Sequence, residues 1–198
     1  MKIIMLIVFL LSLVSCQNND SPSKSLYVGA LGIEYDNEIV ISALISSSNE
    51  NNTFIIKTSR GENINEALNF LELEESHVIN FMHISSIVFN NKALNLDLIN
   101  EIINLAVRDF KISFNSYIFL TNDKISDLYD IVNKDEDTLL NQLMEPVYSY
   151  HIYQDVKPLH LITMGKRIAN RKNFIIPTIK IKDSSLLIGG IKLDFFNS

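Results

Sequence analysis

The sequence predicts an α+β fold in which a mixed β-sheet packs against several helices. Three observations predict it. Short apolar segments rich in β-branched residues are interspersed with segments whose apolar residues recur every three or four positions, as on one face of a helix. These segments do not follow a strict strand–helix–strand alternation. Two candidate β-hairpins, one near each end of the chain, bracket a helix-rich middle.

The N-terminal hairpin is predicted from two apolar segments, 26–33 (LYVGALGI) and 38–46 (EIVISALIS). The polar group between them, 34–37 (EYDN), is typical of a turn. A third strand is predicted over 53–58 (TFIIKT), and the Arg-Gly pair at 60–61 predicts a turn after it.

Two helices are predicted next. The first starts at Asn63, an N-cap residue, and Glu66 three positions later completes a capping box. Its apolar face consists of Ile64, Ala67, Leu68 and Leu71. A strand is predicted over 84–90 (ISSIVFN). The clearest helix follows over 97–110, and its apolar stripe consists of Ile99, Ile102, Ile103, Ala106 and Phe110.

Three shorter helices are predicted after a strand at 116–121 (SYIFLT). Asp123 is expected to cap the first, whose apolar residues are Ile125, Leu128, Tyr129 and Val132. The second ends near Pro146 and has the apolar residues Leu140, Leu143, Met144 and Val147. The third starts near Pro158 and has the stripe Leu161, Met164, Gly165 and Ile168.

The C-terminal hairpin is predicted from strands at 174–182 and 186–196 on either side of Asp183-Ser184. Proline cannot donate to a strand ladder, so Pro177 predicts that its strand is an edge strand or is bulged there.

Composition and charge exclude several classes of protein. The chain has 198 residues, of which 47% are hydrophobic and 20% charged, which is typical of a globular domain. The formal net charge of -6 argues against nucleic-acid binding, because an acidic protein repels phosphate. Cys16 is the only cysteine, so neither an internal disulfide nor a cysteine-built zinc site is available.

The first sixteen residues predict a lipoprotein signal. Lys2 supplies the positive charge that precedes the apolar segment of a signal peptide. The apolar run 3–14 is too short to cross a bilayer as a helix, which takes roughly 20 residues. The sequence Leu13-Val14-Ser15-Cys16 looks like a bacterial lipobox, with cleavage between Ser15 and Cys16 and a diacylglycerol on the Cys16 sulfur. A core thiol and a transmembrane anchor are the weaker alternatives.

The predicted lipoprotein signal divides the chain into three parts. Residues 1–15 are a signal peptide, 16–25 are a polar tether behind the lipidated cysteine, and 26–198 are one α+β domain. Two acyl chains anchor a protein stably, whereas one does so only marginally.

Motifs for catalysis or metal binding are lacking in the sequence. The four histidines, His77, His83, His151 and His160, include no helical i, i+4 pair, and no G-x-S-x-G elbow, phosphate loop or dinucleotide loop is present. The acidic runs at 72–75 and 135–137 indicate solvent-exposed surfaces. Basic residues at 166–172 suit the C-terminal end of a helix, and contact with anionic lipid or an acidic partner is the alternative.

The order of several segments resembles the Ger(x)C family, the lipoprotein (C) subunits of nutrient germinant receptors in endospore-forming bacteria. The similar segments are VGALGIEYD at 28–36, GENINEA at 61–67, FMHISSIVF at 81–89, LAVRDFKISFNSYIFL at 105–120, IP at 176–177 and LLIGGIKLDFF at 186–196. Family members are about twice as long and carry a Trp-Asp segment after the cysteine, which this chain lacks. The resemblance therefore implies the N-terminal domain only, as in a truncated or split member.

The resemblance also implies a role. It predicts a non-enzymatic accessory subunit without a cofactor, held by acylated Cys16 on the outer face of the spore inner membrane. Its partners there would be integral membrane A-type and B-type subunits. A solute-binding or other surface lipoprotein is the alternative, although a two-lobed binder needs two comparable domains. An exported enzyme is a third possibility, with no recognisable set of catalytic residues behind it.

Overall fold

The computed structural model describes residues 26–46, 54–73, 78–132, 157–183 and 185–193. These residues form a β-sheet with helices on both faces. In chain order the elements are β1 (Leu26–Asp36), β2 (Glu38–Ser46), β3 (Phe54–Gly61), α1 (Ile64–Leu73), β4 (Ile79–Asn80), β5 (Ser86–Asn90), a 3₁₀ turn (Asn91–Ala93), α2 (Leu96–Val107), β6 (Tyr117–Thr121), α3 (Ile125–Val132), α4 (Leu161–Ala169), β7 (Phe174–Lys182) and β8 (Ser185–Leu193).

The sheet is mixed, which confirms the predicted α+β class. Its strand order is β3-β2-β1-β5-β6-β7-β8, and the short β4 pairs with the start of β1. The central strands β1, β5, β6 and β7 are parallel. The hairpins β1–β2 and β7–β8 are antiparallel and flank this centre, so both predicted hairpins are confirmed.

Alternate residues of the central strands enter two separate cores. Ile87 and Phe89 of β5 face the cluster that contains the buried residues of α1, α2 and α4, whereas Val88 faces the cluster that contains those of α3. Ile118 and Phe119 of β6 divide in the same way. This period of two places α1, α2 and α4 on one face of the sheet and α3 on the other.

Two predicted turns are in fact strand. β1 continues to Asp36, and Asn37 alone, with φ 60°, separates it from β2. β3 continues through the expected turn, and its last residue Gly61 pairs with Ile39. The glycine is needed there for packing, because a Cβ on Gly61 would lie 2.6 Å from the Ala67 nitrogen of α1.

The predicted N-cap of α1 is confirmed. The Asn63 side chain accepts a hydrogen bond from the Glu66 amide at 2.9 Å. The Glu66 carboxylate accepts in return from the amide of Glu62, one residue before the cap, at 2.7 Å. The Asn63 bond satisfies an amide that the helix itself leaves unpaired. The return bond of Glu66 is one residue away from the predicted capping box, in which the amide of Asn63 would donate.

Helix α2 is shorter at its C-terminal end than predicted, and the assignment of Phe110 to its apolar stripe was wrong. The Asn104 carbonyl accepts from both the Arg108 and Asp109 amides, and the chain leaves the helix after Val107. Phe110 follows in the left-handed region with φ 52°, and its side chain is 67% exposed.

Asp123 serves a different purpose from the predicted cap of α3. Its carboxylate accepts a hydrogen bond from the Ile181 amide of β7 at 2.6 Å. The first amide of α3, on Ile125, donates instead to the Glu34 carboxylate of β1 at 3.3 Å. The side chains of Glu34, near the end of β1, and Asp123, just after β6, therefore position this region.

Helix α4 starts at Leu161, three residues after the predicted start at Pro158. The preceding segment lies along β6, where the Ile118 amide donates to the Leu159 carbonyl at 2.7 Å and His160 forms an antiparallel bridge with Tyr117. Because residues 159 and 160 are extended and pair with β6, the helix begins only after them.

The closing strands correspond to the prediction, except at Pro177. β7 lies between β6 and β8 in a regular register, so it is neither an edge strand nor bulged at Pro177. Pairing with β6 begins only at Thr178, so the proline interrupts no bond of that ladder. The predicted helix at 140–147 and residues 194–196 of the last strand lie outside the described residues.

The described helices are all too short or too polar to cross a membrane.

Candidate functional site

The two residues predicted to carry the lipid anchor, Ser15 and Cys16, lie outside the described residues. Lipidation and signal cleavage therefore stay predictions. The described domain offers one polar cavity, which lies at the end of the sheet where the central parallel strands terminate.

This cavity lies where the chain leaves adjacent parallel strands toward opposite faces. After β5 the chain passes to α2 on one face, and after β6 it passes to α3 on the other. Opposite departures from neighbouring strands open a crevice at their carboxyl ends, where α/β proteins commonly bind ligands. Here Asn90 ends β5 and Lys92 follows it, and Asn122 and Lys124 follow β6.

We call this cavity the polar crevice. Its volume is about 480 Å³, and its lining residues are Glu34, Tyr35, Asp36, Val40, Ser42, Thr58, Arg60, Asn90, Lys92, Asn122, Lys124 and Ser126. Strands β1, β2 and β3 supply one wall, and the segments after β5 and β6 supply the other. The Asn90 side chain joins those two segments by donating to the Asp123 carbonyl at 3.1 Å.

The charges in the polar crevice are partly paired. Arg60 lies 3.6 Å from the Asp36 carboxylate, and Glu34 accepts the Ile125 amide bond. Within the described part of the chain, Lys92 and Lys124 form no ion pair. The crevice can therefore present two ammonium groups to a small polar or anionic molecule. The carboxylate of Glu34 is already hydrogen-bonded to the first amide of α3.

Tyr129 of α3 lies in the core between that helix and the sheet and is fully buried. Its hydroxyl forms no hydrogen bond with any described residue. Burial, and secondarily the negative charge of Glu34, raise the pKa of the Tyr129 phenol far above its ordinary value. The side chain therefore stays neutral in the folded protein and acts as a core residue.

Replacing Tyr129 by Phe is expected to change how stability depends on pH. In the wild type the unfolded phenol ionises above a pH of about 10 while the folded one stays protonated, so stability falls with rising pH, by at most about 1.4 kcal/mol per pH unit. Tyr129→Phe removes this contribution, and near pH 7 it is expected to keep or slightly raise the free energy of unfolding. Denaturant titrations of both proteins between pH 7 and 10.5 measure the difference. Parallel pH profiles would show that Tyr129 ionises equally in both states.

The His83 ring packs edge-on against the Tyr27 ring, with 5.1 Å between the ring centroids. The His160 Nδ1 atom lies 2.8 Å from the Asn115 carbonyl oxygen, and the His160 ring packs against Tyr117. His77 and His151 lie outside the described residues. No group of three or more metal-ligating side chains occurs in the described segments.

The charged runs singled out in the sequence are only partly described. Glu72 pairs with Lys111 at 3.5 Å, while the other acidic residues of both runs lie outside the described residues. In the basic cluster, Arg167 donates to the Asn173 carbonyl at 3.3 Å, just beyond the end of α4. Asn173 directly precedes β7, so this contact ties α4 to the following strand and does not satisfy a carbonyl of the helix itself.

The polar crevice was missed from the sequence. Its only local signal is the polar residues directly after two apolar strands, Asn90 to Lys92 and Asn122 to Lys124. Those residues meet because β5 and β6 are adjacent and parallel, which the strand patterns do not specify.

Comparison with known protein families gives a match. A family model described as the spore germination protein N-terminal domain matches residues 23–181, most of the chain. Neither the curated proteins nor the solved structures contain a significant match.

Proposed function

The chain belongs to the family of the spore germination protein N-terminal domain, and on that basis we propose that it is a lipid-anchored, non-enzymatic accessory subunit of a nutrient germinant receptor. The membership itself gives a germination-related role, like that of GerC-type proteins. The observation that supports the finer assignment most is the combination of this family match with the lipobox-like Leu13-Val14-Ser15-Cys16 directly upstream of it.

The proposed anchor is a diacylglycerol on the Cys16 sulfur. Two acyl chains are sufficient to hold a protein stably on a bilayer. The match to the family model starts at residue 23, a few residues after Cys16, so the conserved domain would lie close to the membrane surface. The proposed location is the outer face of the spore inner membrane.

The proposed partners are integral membrane subunits of the A and B types. In this role the subunit would contribute binding surfaces to an assembly and would catalyse no reaction. A solute-binding lipoprotein is the second candidate, and the observation that favours it is the polar crevice, whose Lys92 and Lys124 form no ion pair with any described residue.

Capture from detergent-solubilised spore inner membranes tests the proposal. The full chain with a C-terminal affinity tag is expected to retain two integral membrane proteins. A tagged, unrelated lipoprotein from the same membrane is the control for non-specific retention. Recovery of the chain alone would favour the second candidate.

A further inference from the structure

The ends of the sheet differ sharply in surface character. Strands β1, β5, β6 and β7 all begin at one end, which we call the strand-start edge. The three most exposed large apolar side chains among the described residues, Leu73, Val78 and Phe110, all lie there, at 79%, 64% and 67% exposure. Met82 and Phe114 are exposed in the loops that precede β5 and β6.

Hydrogen bonds and ion pairs join the loops of this edge into one surface. The Leu26 amide at the start of β1 donates to the Val78 carbonyl at 3.0 Å. The Ser116 hydroxyl before β6 donates to the Ile84 carbonyl before β5 at 2.7 Å. Lys111, next to Phe110, contacts Glu72 at the end of α1. The exposed apolar residues therefore belong to adjacent loops of one edge.

The opposite end of the sheet is predominantly polar. Its turns carry Asp36, Asn37 and Asp183, and Arg60 and Lys124 lie beside the polar crevice there. Tyr35 and Leu187 are the large apolar side chains exposed toward that end in the described part of the chain. An apolar surface confined to one edge of a domain commonly marks an interaction site.

The backbone at Phe110 strengthens this interpretation. Its φ of 52° lies in the left-handed region, which glycine occupies at helix ends without strain. A large aromatic side chain that is two-thirds exposed buries little apolar surface, so it contributes little to the stability of the domain. The helix end sets this backbone conformation, because the Lys111 amide donates to the Leu105 carbonyl at 2.8 Å there, but it does not require an aromatic side chain. A strained position that carries an exposed aromatic residue is consistent with a functional role.

The predicted lipid anchor is joined to the domain at the same edge. Residues 16–25 connect Cys16 to Leu26, the first residue of β1, at the strand-start edge. Even fully extended, this tether reaches only roughly 35 Å, so the edge must stay near the bilayer. Exposed Arg108, Arg171 and Lys172 lie at or near this edge and suit anionic headgroups, although Asp109 next to Phe110 opposes them.

We propose that the strand-start edge rests on the bilayer that holds Cys16, with Phe110 and Phe114 in the headgroup region. Segments that lie on a membrane surface place Phe, Trp and Leu side chains at the boundary between headgroups and acyl chains. The inference rests on the proposed lipid anchor, and it adds a fixed orientation of the domain. The polar crevice then faces away from the membrane, toward the aqueous phase.

Site-specific labelling tests the orientation. Lipid occupies the sulfur of Cys16 in the proposed mature protein, so Phe110→Cys and Tyr35→Cys each carry one reactive thiol. Tyr35 is the matched control, an exposed aromatic residue at the opposite end of the sheet. The full lipidated chain carries an environment-sensitive nitrobenzoxadiazole label in vesicles of phosphatidylglycerol and phosphatidylethanolamine.

The label at position 110 is expected to brighten several-fold, to shift to the blue, and to be quenched by spin-labelled lipid. The label at position 35 is expected to stay aqueous and to be quenched by iodide. Phe114→Cys provides a second position at the edge without the positive φ. Vesicle-bound protein whose labels at 110 and 114 are both aqueous would overturn the orientation alone. Protein that does not float with the vesicles would overturn the anchor, and the orientation with it.

Discussion

A Cys16→Ser variant is expected to accumulate as an unlipidated precursor that retains residues 1–15. Serine has no thiol to form the thioether, so neither acyl chain is attached, and the signal peptidase of the lipoprotein pathway requires the lipid before it cuts. Metabolic labelling with a radioactive fatty acid should give no signal, and the intact mass should equal that of the uncleaved chain.

Gln17→Ser is the matched control, because it introduces the same residue one position later and leaves the sulfur in place. That variant should carry lipid and have the mature length. The anchor would be wrong if the Cys16→Ser protein reached mature length and stayed in the membrane fraction.

A Gly61→Ala variant is expected to destabilise the domain by about 1–3 kcal/mol, the usual cost of an overpacked site. The added Cβ would lie 2.6 Å from the Ala67 nitrogen, which is a backbone atom of α1 and cannot move aside as a flexible side chain could. The Ser59 hydroxyl ties β3 to the same residue by donating to the Ala67 carbonyl at 2.7 Å, so α1 cannot move away without losing that bond.

Gly29→Ala is the control for this substitution. The nearest atom to its added Cβ is the Leu44 oxygen at 3.8 Å, an ordinary contact. Removing a glycine there reduces the freedom of the unfolded chain and is expected to leave stability equal or slightly higher. Thermal unfolding of both variants measures the difference, which corresponds to a shift of roughly 2–4 °C per kcal/mol. Equal midpoints would refute the close approach of α1 to β3.

Features that depend on neighbouring residues in the sequence were predictable. The capping residues Asn63 and Glu66 identified the start of α1, and the apolar spacing identified its buried face. Both terminal hairpins followed from paired β-branched segments separated by short polar groups. In each case the interacting residues are close along the chain, so the pattern specifies the contact.

Features that depend on distant residues were not predictable. Arg60-Gly61 has the composition of a turn, yet the ladder with β2 and the proximity of Ala67 keep it in a strand. Asp123 has the position of a helix cap, but it bonds to Ile181, 58 residues away. The polar crevice depends on β5 and β6 being adjacent and parallel, and hydrophobic patterning does not determine that pairing.

The composition of the complex captured from spore inner membranes tests the receptor assignment most directly. The tagged chain is predicted to retain one A-type and one B-type integral membrane subunit in comparable molar amounts, as quantified by mass spectrometry against the control lipoprotein. Recovery of the lipidated chain without either integral membrane subunit would contradict the assignment.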